Sequence, residues 1–119
     1  MTAARVVAGH RIKTVEENSM ILEVAVLDVK PGQEPEFEIA FEKAQGIISS
    51  MNGYISHQLQ NCIENPSRYI LLVNWQTLED HTKGFRESDK YQEWRALLHH
   101  FYDPFPTVEH YRAVLGVAL

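Results

Sequence analysis

The sequence predicts an α+β fold of the ferredoxin-like type: one antiparallel sheet with helices on one face, forming a dimeric α/β barrel with a second copy. Three observations support it. The chain of 119 residues has the length of one domain. Strand-like and amphipathic segments follow one another in the order β-α-β-β-α-β. Two of the strands are apolar on both faces, so the face opposite the helices needs a cover.

The composition excludes several classes of protein. Hydrophobic residues make up 45% of the chain, charged residues 23%, and the net charge is −5, with no basic cluster of the kind that binds nucleic acid. No apolar run approaches the ~20 residues that span a bilayer, so no membrane partner is expected. The single cysteine, Cys62, cannot form a disulfide within the chain. Because the first residues lack the apolar core of a secretory signal, we expect a cytoplasmic protein.

Two segments are predicted, an N-terminal arm at residues 1–19 and a ferredoxin-like domain at residues 20–119. The first nineteen residues show no periodicity and end in a polar cluster, whereas the first strand pattern begins just after Met20. The arm packs on the domain or on a partner subunit in one interpretation. In the other, Met20 is the natural start of the protein.

The first strand and helix are clear in the sequence. Residues 21–30 are rich in aliphatic and β-branched side chains and stop at Pro31 and Gly32, a turn signal. Apolar residues then recur at three- and four-residue spacing between Phe37 and Met51, which predicts an amphipathic helix of about four turns. It is expected to end at Asn52 and Gly53.

A hairpin is predicted next. Residues 54–61 alternate, with Ile55, His57 and Leu59 expected on one face, and residues 68–75 form a largely buried strand. The intervening turn contains Asn65 and Pro66.

The second helical region and the last strand complete the order. Thr77 and Asp80 have the spacing of a capping box, which predicts a helix over residues 78–87. Ser88 is expected to cap a second helical segment over residues 89–101. A proline-containing break follows, and residues 107–114 alternate as the final strand.

Residues 73–111 resemble the antibiotic biosynthesis monooxygenase family, and the resemblance extends over about residues 20–115. The features that carry it are Trp75 at the end of a strand, His81 and Phe85 in the next helix, Ser88 before Tyr91 and Trp94, and His110 followed by Tyr111.

The resemblance implies a homodimer with a pocket in each subunit between the sheet and the helices. It also implies oxygenation of a small aromatic phenol or quinol by molecular oxygen, with no cofactor. An electron-rich phenolate can donate one electron to oxygen, so such an enzyme needs a base, a group that stabilises the anion, and a dry pocket.

Site residues follow from the resemblance position by position. Trp75 is retained, Arg95 matches an arginine twenty residues later, His81 stands where the quinone-forming branch has a tyrosine, and Leu71 replaces an asparagine. We therefore expect His81 to accept a proton, Arg95 to stabilise an anion, and Trp75 with Trp94 to form pocket walls.

Further substrate-binding candidates are His57, Phe85, Tyr91 and His110; for the tryptophans and histidines, burial in the core is the alternative interpretation. No compact metal-ligand spacing is present, and the residues used by the family's haem-degrading branch are absent, so neither a metal site nor haem is expected.

Two other functions remain open. In the first, the protein is a non-catalytic dimeric module that binds a small apolar ligand. In the second, it is an isomerase or lyase that uses His81 as a base without oxygen.

Overall fold

A four-stranded antiparallel sheet with helices packed on one face forms the body of the protein. The structure, a computed structural model, describes residues 5–7, 10–14 and 20–117. The strands are β3 (Ile21–Asp28), β4 (Tyr54–Asn61), β5 (Arg68–Trp75) and β6 (Thr107–Arg112), in the spatial order β4-β5-β3-β6. This order confirms the predicted ferredoxin-like fold.

A second, three-stranded sheet contains β1 (Arg5–Val7), β2 (His10–Thr14) and β7 (Leu115–Val117), all antiparallel. The predicted N-terminal arm therefore contributes two short strands, of which β2 pairs with both β1 and the C-terminal β7. The remaining arm residues lie outside the described residues, and the division into an arm and a domain stays a prediction.

Helix α1 (Glu34–Ser49) follows the predicted hydrophobic stripe. Its buried residues Phe37, Phe41, Ala44 and Ile48 have the three- and four-residue spacing of one helix face. Pro35 lies in the first turn, where its missing N–H costs no hydrogen bond. The helix ends three residues before the predicted stop.

The helical region after β5 has three parts. A π-helix (Asp80–Phe85) is followed by α2 (Asp89–Leu98) and a short 3₁₀ turn (His99–Phe101). Both predicted caps are present: the N–H of Asp80 donates to Thr77 Oγ1 while the N–H of Thr77 donates to Asp80 Oδ2. The N–H of Tyr91 donates to Ser88 Oγ.

The core lies between the sheet and the helices. Alternate residues of β3 and β5 point into it and are buried, including Ala25, Leu27, Leu71 and Val73. Residues of opposite parity on these strands are half-buried, apart from the exposed Arg68, and form the open face of the sheet. Among the described residues, no helix is long and apolar enough to cross a membrane.

One predicted strand face is wrong. A register shift between Tyr54 and Ser56 makes Ile55 an extra residue in β4. Ile55 is therefore exposed, and Tyr54 takes its place on the inner face, where its hydroxyl bonds His57 Nδ1. Strict alternation cannot anticipate a bulge, because the bulge reverses the parity of every residue before it.

Candidate functional site

A cavity of about 380 Å³ lies between the helical face of the sheet and the second helical region. Along β3 it runs from Glu23 through Ala25 to Leu27. Its walls are mainly aromatic and aliphatic, with a few polar groups, which is the composition of small-molecule pockets. The remaining lining residues are Leu71, His81, Phe85, Arg86, Tyr91, Trp94, His99, Tyr102, Phe105, Pro106 and Val108.

Glu23 is the buried carboxyl group of this cavity and is only 5% exposed. It lies at the inward parity of β3, directly opposite His110 of β6 in the strand register. Trp75 Nε1 donates a hydrogen bond to Glu23 Oε1 at 3.0 Å. Burial raises the pKa of Glu23 to about 7, although the tryptophan hydrogen bond and the charge of Arg86 oppose the shift. A carboxyl with such a pKa can both hold and release a proton near neutral pH.

His81 connects Glu23 with His110. Its Nε2 lies 3.3 Å from Glu23 Oε1, and its Nδ1 lies 2.7 Å from His110 Nε2. Its ring stacks on Trp75, with 5.4 Å between centroids and 21° between planes. These contacts hold the imidazole in one orientation.

His81 does not carry the positive charge of an ion pair with Glu23. A distance of 3.3 Å would suit an ion pair, but burial, with Arg86 and His110 adding to it, lowers the pKa of His81 to about 3. The pKa of His110 is also lowered, by burial and by Arg86. Burial therefore disfavours the charged form of both imidazoles, and the 3.3 Å contact between Glu23 and His81 joins two uncharged groups at pH values below the pKa of Glu23.

The two nitrogens of His81 point to different partners, so they do not converge on one ion. Within the described part of the chain, no group of three or more His, Cys, Asp or Glu side chains is arranged to hold a metal.

Arg86 is the cation of this cavity. It follows the π-helix directly and lines the cavity while remaining solvent-exposed, which places it at the mouth. A guanidinium at that position can stabilise a negative charge on a bound molecule. Arg95, the predicted anion-stabilising residue, is exposed on α2 and does not line the cavity. The arginine that the resemblance places twenty residues after Trp75 therefore lies on the outer side of α2.

The other predicted site residues fall into three groups. Phe85, Tyr91 and Trp94 line the cavity as walls. Trp75 is fully buried beneath it and contacts Glu23 and His81. His57 lies outside it, bonded to Tyr54 and to Gln45 Oε1, in agreement with the alternative of a satisfied structural histidine.

His99 lies towards the end of the cavity formed by Tyr102 and Phe105. Its ring packs nearly perpendicular to Tyr91 and Phe105, and its Nδ1 is buried with no partner among the described residues. Burial, and secondarily Arg95, lowers the pKa of His99 and so disfavours the charged form of its ring.

Sequence reasoning missed Glu23, Arg86 and His99. One signal was present for Glu23: it is a charged residue at the same parity as Ala25 and Leu27 within an otherwise apolar strand. No comparable signal marked Arg86, because its direction depends on the wide turn of the π-helix.

Comparisons with known proteins agree with the fold. The sequence profile of the antibiotic biosynthesis monooxygenase family matches residues 20–97. The uncharacterized protein YczJ of Bacillus subtilis is 60% identical over 95 residues, which are 80% of this chain and 100% of YczJ.

Solved structures share the fold. A Bordetella bronchiseptica protein of the antibiotic biosynthesis monooxygenase type superposes with a TM-score of 0.78 and 36% identity, covering 82% of this chain and 99% of that one. SnoaB, a cofactor-independent oxygenase from Streptomyces nogalater, has a TM-score of 0.63 over 85% of this chain and 94% of its own. At 18% identity, SnoaB shows the fold alone.

Proposed function

The chain belongs to the antibiotic biosynthesis monooxygenase family, and we propose that it is a cofactor-independent monooxygenase that oxidises a small aromatic phenol or quinol with molecular oxygen. The observation that carries the proposal is a buried Glu23–His81 pair, with Arg86 beside it, in a cavity walled by aromatic side chains.

The reaction needs no external reductant. A phenol with hydrogen on the ring carbon para to its hydroxyl loses the hydroxyl proton, and the phenolate gives one electron to oxygen. The resulting radicals combine at the para carbon to form a peroxide anion, which takes back the proton and becomes a hydroperoxide. Loss of the ring proton and cleavage of the O–O bond then give a quinone and water. One oxygen atom of O₂ enters the substrate, the other leaves as water, and the substrate supplies all the electrons.

The residues of the cavity suit these steps. The Glu23–His81 pair takes the phenol proton, because a carboxyl with a pKa of about 7 is half ionised near neutral pH. Both nitrogens of His81 lie next to protein partners, His110 and Glu23. Glu23 is therefore the member of the pair that contacts the substrate. His81, the predicted proton acceptor, accepts the proton through Glu23. Arg86 stabilises the phenolate. Phe85, Tyr91 and Trp94 contact the ring and exclude water.

The protein also acts as a homodimer in this proposal. On the open face of the sheet, Leu22, Val24, Val26, Ile70 and Leu72 are half-buried in the single chain. A second copy placed sheet to sheet would remove these apolar side chains from water, and closed two-fold assemblies are the commonest way to do so.

Oxygen consumption tests the function. The purified protein, without added metal or flavin, is supplied with a panel of hydroquinones and polycyclic phenols in an oxygen-electrode assay. We expect protein-dependent uptake that falls by about two orders of magnitude in Glu23→Gln, the size typical of a lost general base.

Two arginine variants sharpen the test. Arg86→Gln should lower kcat/KM, whereas Arg95→Gln should retain it, because only Arg86 lines the cavity. Saturable binding of a phenol without turnover would instead favour the binding module. Turnover that persists without oxygen would favour the isomerase or lyase.

A further inference from the structure

We propose that His110, His81 and Glu23 form a proton-conducting chain between solvent and the cavity. This inference deepens the proposed function and rests on it for its purpose, because the chain lets Glu23 lose its proton to solvent and so reach the ionised form that takes the proton of the phenol. Its components and its direction can be tested without substrate.

The three groups are arranged in series. His110 lies on β6, is partly exposed, and is the strand neighbour of Glu23. Its Nε2 lies 2.7 Å from His81 Nδ1, and His81 Nε2 lies 3.3 Å from Glu23 Oε1. An imidazole can accept a proton on one nitrogen while releasing one from the other, so each contact is a possible transfer step.

The protons balance at both ends. When Glu23 is ionised, His81 donates its Nε2–H to the carboxylate and accepts a hydrogen bond at Nδ1 from the Nε2–H of His110. A proton that arrives from solvent at His110 Nδ1 moves the Nε2 proton of His110 to His81 Nδ1. The Nε2 proton of His81 then passes to Glu23. Both imidazoles are neutral before and after, and one proton has travelled from solvent to the carboxyl.

Trp75 is compatible with both states. Its N–H donates to Glu23 Oε1. That oxygen can accept this hydrogen bond as part of an ionised carboxylate, and also when it carries the proton that is shared with His81. The stacking of His81 on Trp75 also restrains the plane of the His81 ring.

The electrostatics of the site agree with this order. The pKa values of His81 and His110 are lowered, chiefly by burial, while that of Glu23 is raised by burial to about 7. A proton that enters near neutral pH therefore rests on Glu23 and not on a ring. The other titratable groups that line the cavity are Arg86, Tyr91, His99 and Tyr102. Of these, Arg86 is permanently charged, and it favours the ionised form of Glu23.

The test follows the carboxyl group of Glu23 by time-resolved infrared spectroscopy after a jump from about pH 5 to about pH 8.5, which spans a pKa near 7. The C=O band of the protonated acid is assigned as the one lost in Glu23→Gln. We expect this band to titrate near pH 7 in the unmodified protein. In His110→Phe the band should remain, but its decay after the jump should slow by at least about tenfold, as for loss of a proton-transfer group.

A rescue experiment separates conduction from support of the fold. In His110→Ala, imidazole added to the buffer should restore the fast decay, because it can occupy the vacated space and relay a proton. His100→Ala, at an exposed histidine of the 3₁₀ turn, is the matched control and should decay like the unmodified protein.

Equal decay rates in His110→Phe and the unmodified protein would overturn the chain, as would a Glu23 band that is absent throughout the titration. Neither readout depends on oxygen or substrate. The chain can therefore be present where the oxygenase is not, and the oxygenase can survive where the chain fails.

Discussion

The buried carboxyl group of Glu23 makes the stability of the protein depend on pH. Its pKa is 4.5 as a free side chain and about 7 in the fold. Between these values the unfolded chain releases the proton while the folded one keeps it, so this group's contribution to stability falls as the pH rises. The total loss is about 3 kcal/mol, because each pKa unit corresponds to about 1.4 kcal/mol.

Glu23→Gln removes that dependence and keeps an oxygen to accept the Trp75 hydrogen bond. We expect the variant's free energy of unfolding, relative to the unmodified protein, to increase between about pH 4.5 and about pH 7 and then to level off. His81 has the opposite effect. Because its pKa is lowered, its contribution to stability is lost as the pH falls from 6.5 towards about 3. This contribution of His81 is present in both proteins, so it cancels in the difference between their free energies of unfolding. Urea denaturation across this range checks it, and a constant difference would contradict it.

His99 carries a buried nitrogen without a partner among the described residues. Such a group costs about 1–3 kcal/mol, whereas an apolar group of the same shape does not. We therefore expect His99→Phe to raise the free energy of unfolding by about 1 kcal/mol while retaining the contacts with Tyr91 and Phe105. Thermal and urea denaturation measure it, with His100→Phe at the exposed neighbour as the control. A clear loss of stability in His99→Phe would show that the nitrogen has a partner.

Among the individual residues of the site, some can be predicted from the sequence and others cannot. His81 was predicted because a histidine stands at a position of the resemblance where the family places another proton-carrying group. Glu23 escaped because a strand apolar on both faces does not show which face is inner. Arg95 and Arg86 are both helical arginines in the sequence, and only the packing of the helices distinguishes the exposed one from the one at the cavity.

At the scale of elements, the turn at Gly53 links the sheet to the π-helix. Gly53 has a φ of +84°, and a Cβ there would collide with the side chain of Asp80, which caps the π-helix region. We expect Gly53→Ala to destabilise the protein by about 1–3 kcal/mol, the cost of a strained backbone conformation. The substitution should also displace Asp80 and, with it, the next residue, His81.

A matched glycine lies within α1. Gly46 has open space around its Cβ position and helical surroundings, so Gly46→Ala should raise the free energy of unfolding by about 0.5–1 kcal/mol. Chemical denaturation of the two variants gives the comparison. Equal effects would show that the turn at Gly53 tolerates a side chain.

The elements show where pattern reasoning succeeds and where it stops. The hairpin strands agree with their predicted bounds, because Gly53 and the turn around Pro66 mark their ends. The bulge at Ile55 and the π-helix were not predicted. Each inserts extra backbone into a regular period, and the residues involved are compatible with the regular form as well.

For the whole molecule, the open face of the sheet connects fold and assembly. Leu72 lies at its centre, paired in register with Val24 on one side and Gln58 on the other. In the proposed homodimer a glutamate there would be a buried charge without a partner, which is strongly unfavourable. We expect light scattering to give twice the chain mass for the unmodified protein and the single-chain mass for Leu72→Glu.

Ile39→Glu provides the control. Ile39 is 59% exposed on α1, on the opposite side of the sheet, so this variant should retain the doubled mass. A single-chain mass for the unmodified protein would contradict the homodimer. The cavity lies on the helical face, away from Leu72, so the Glu23 infrared band should titrate near pH 7 in Leu72→Glu as well. Loss of that titration together with the dimer would show that the second copy helps to bury Glu23, and the proton chain would then belong to the assembly and not to the single chain.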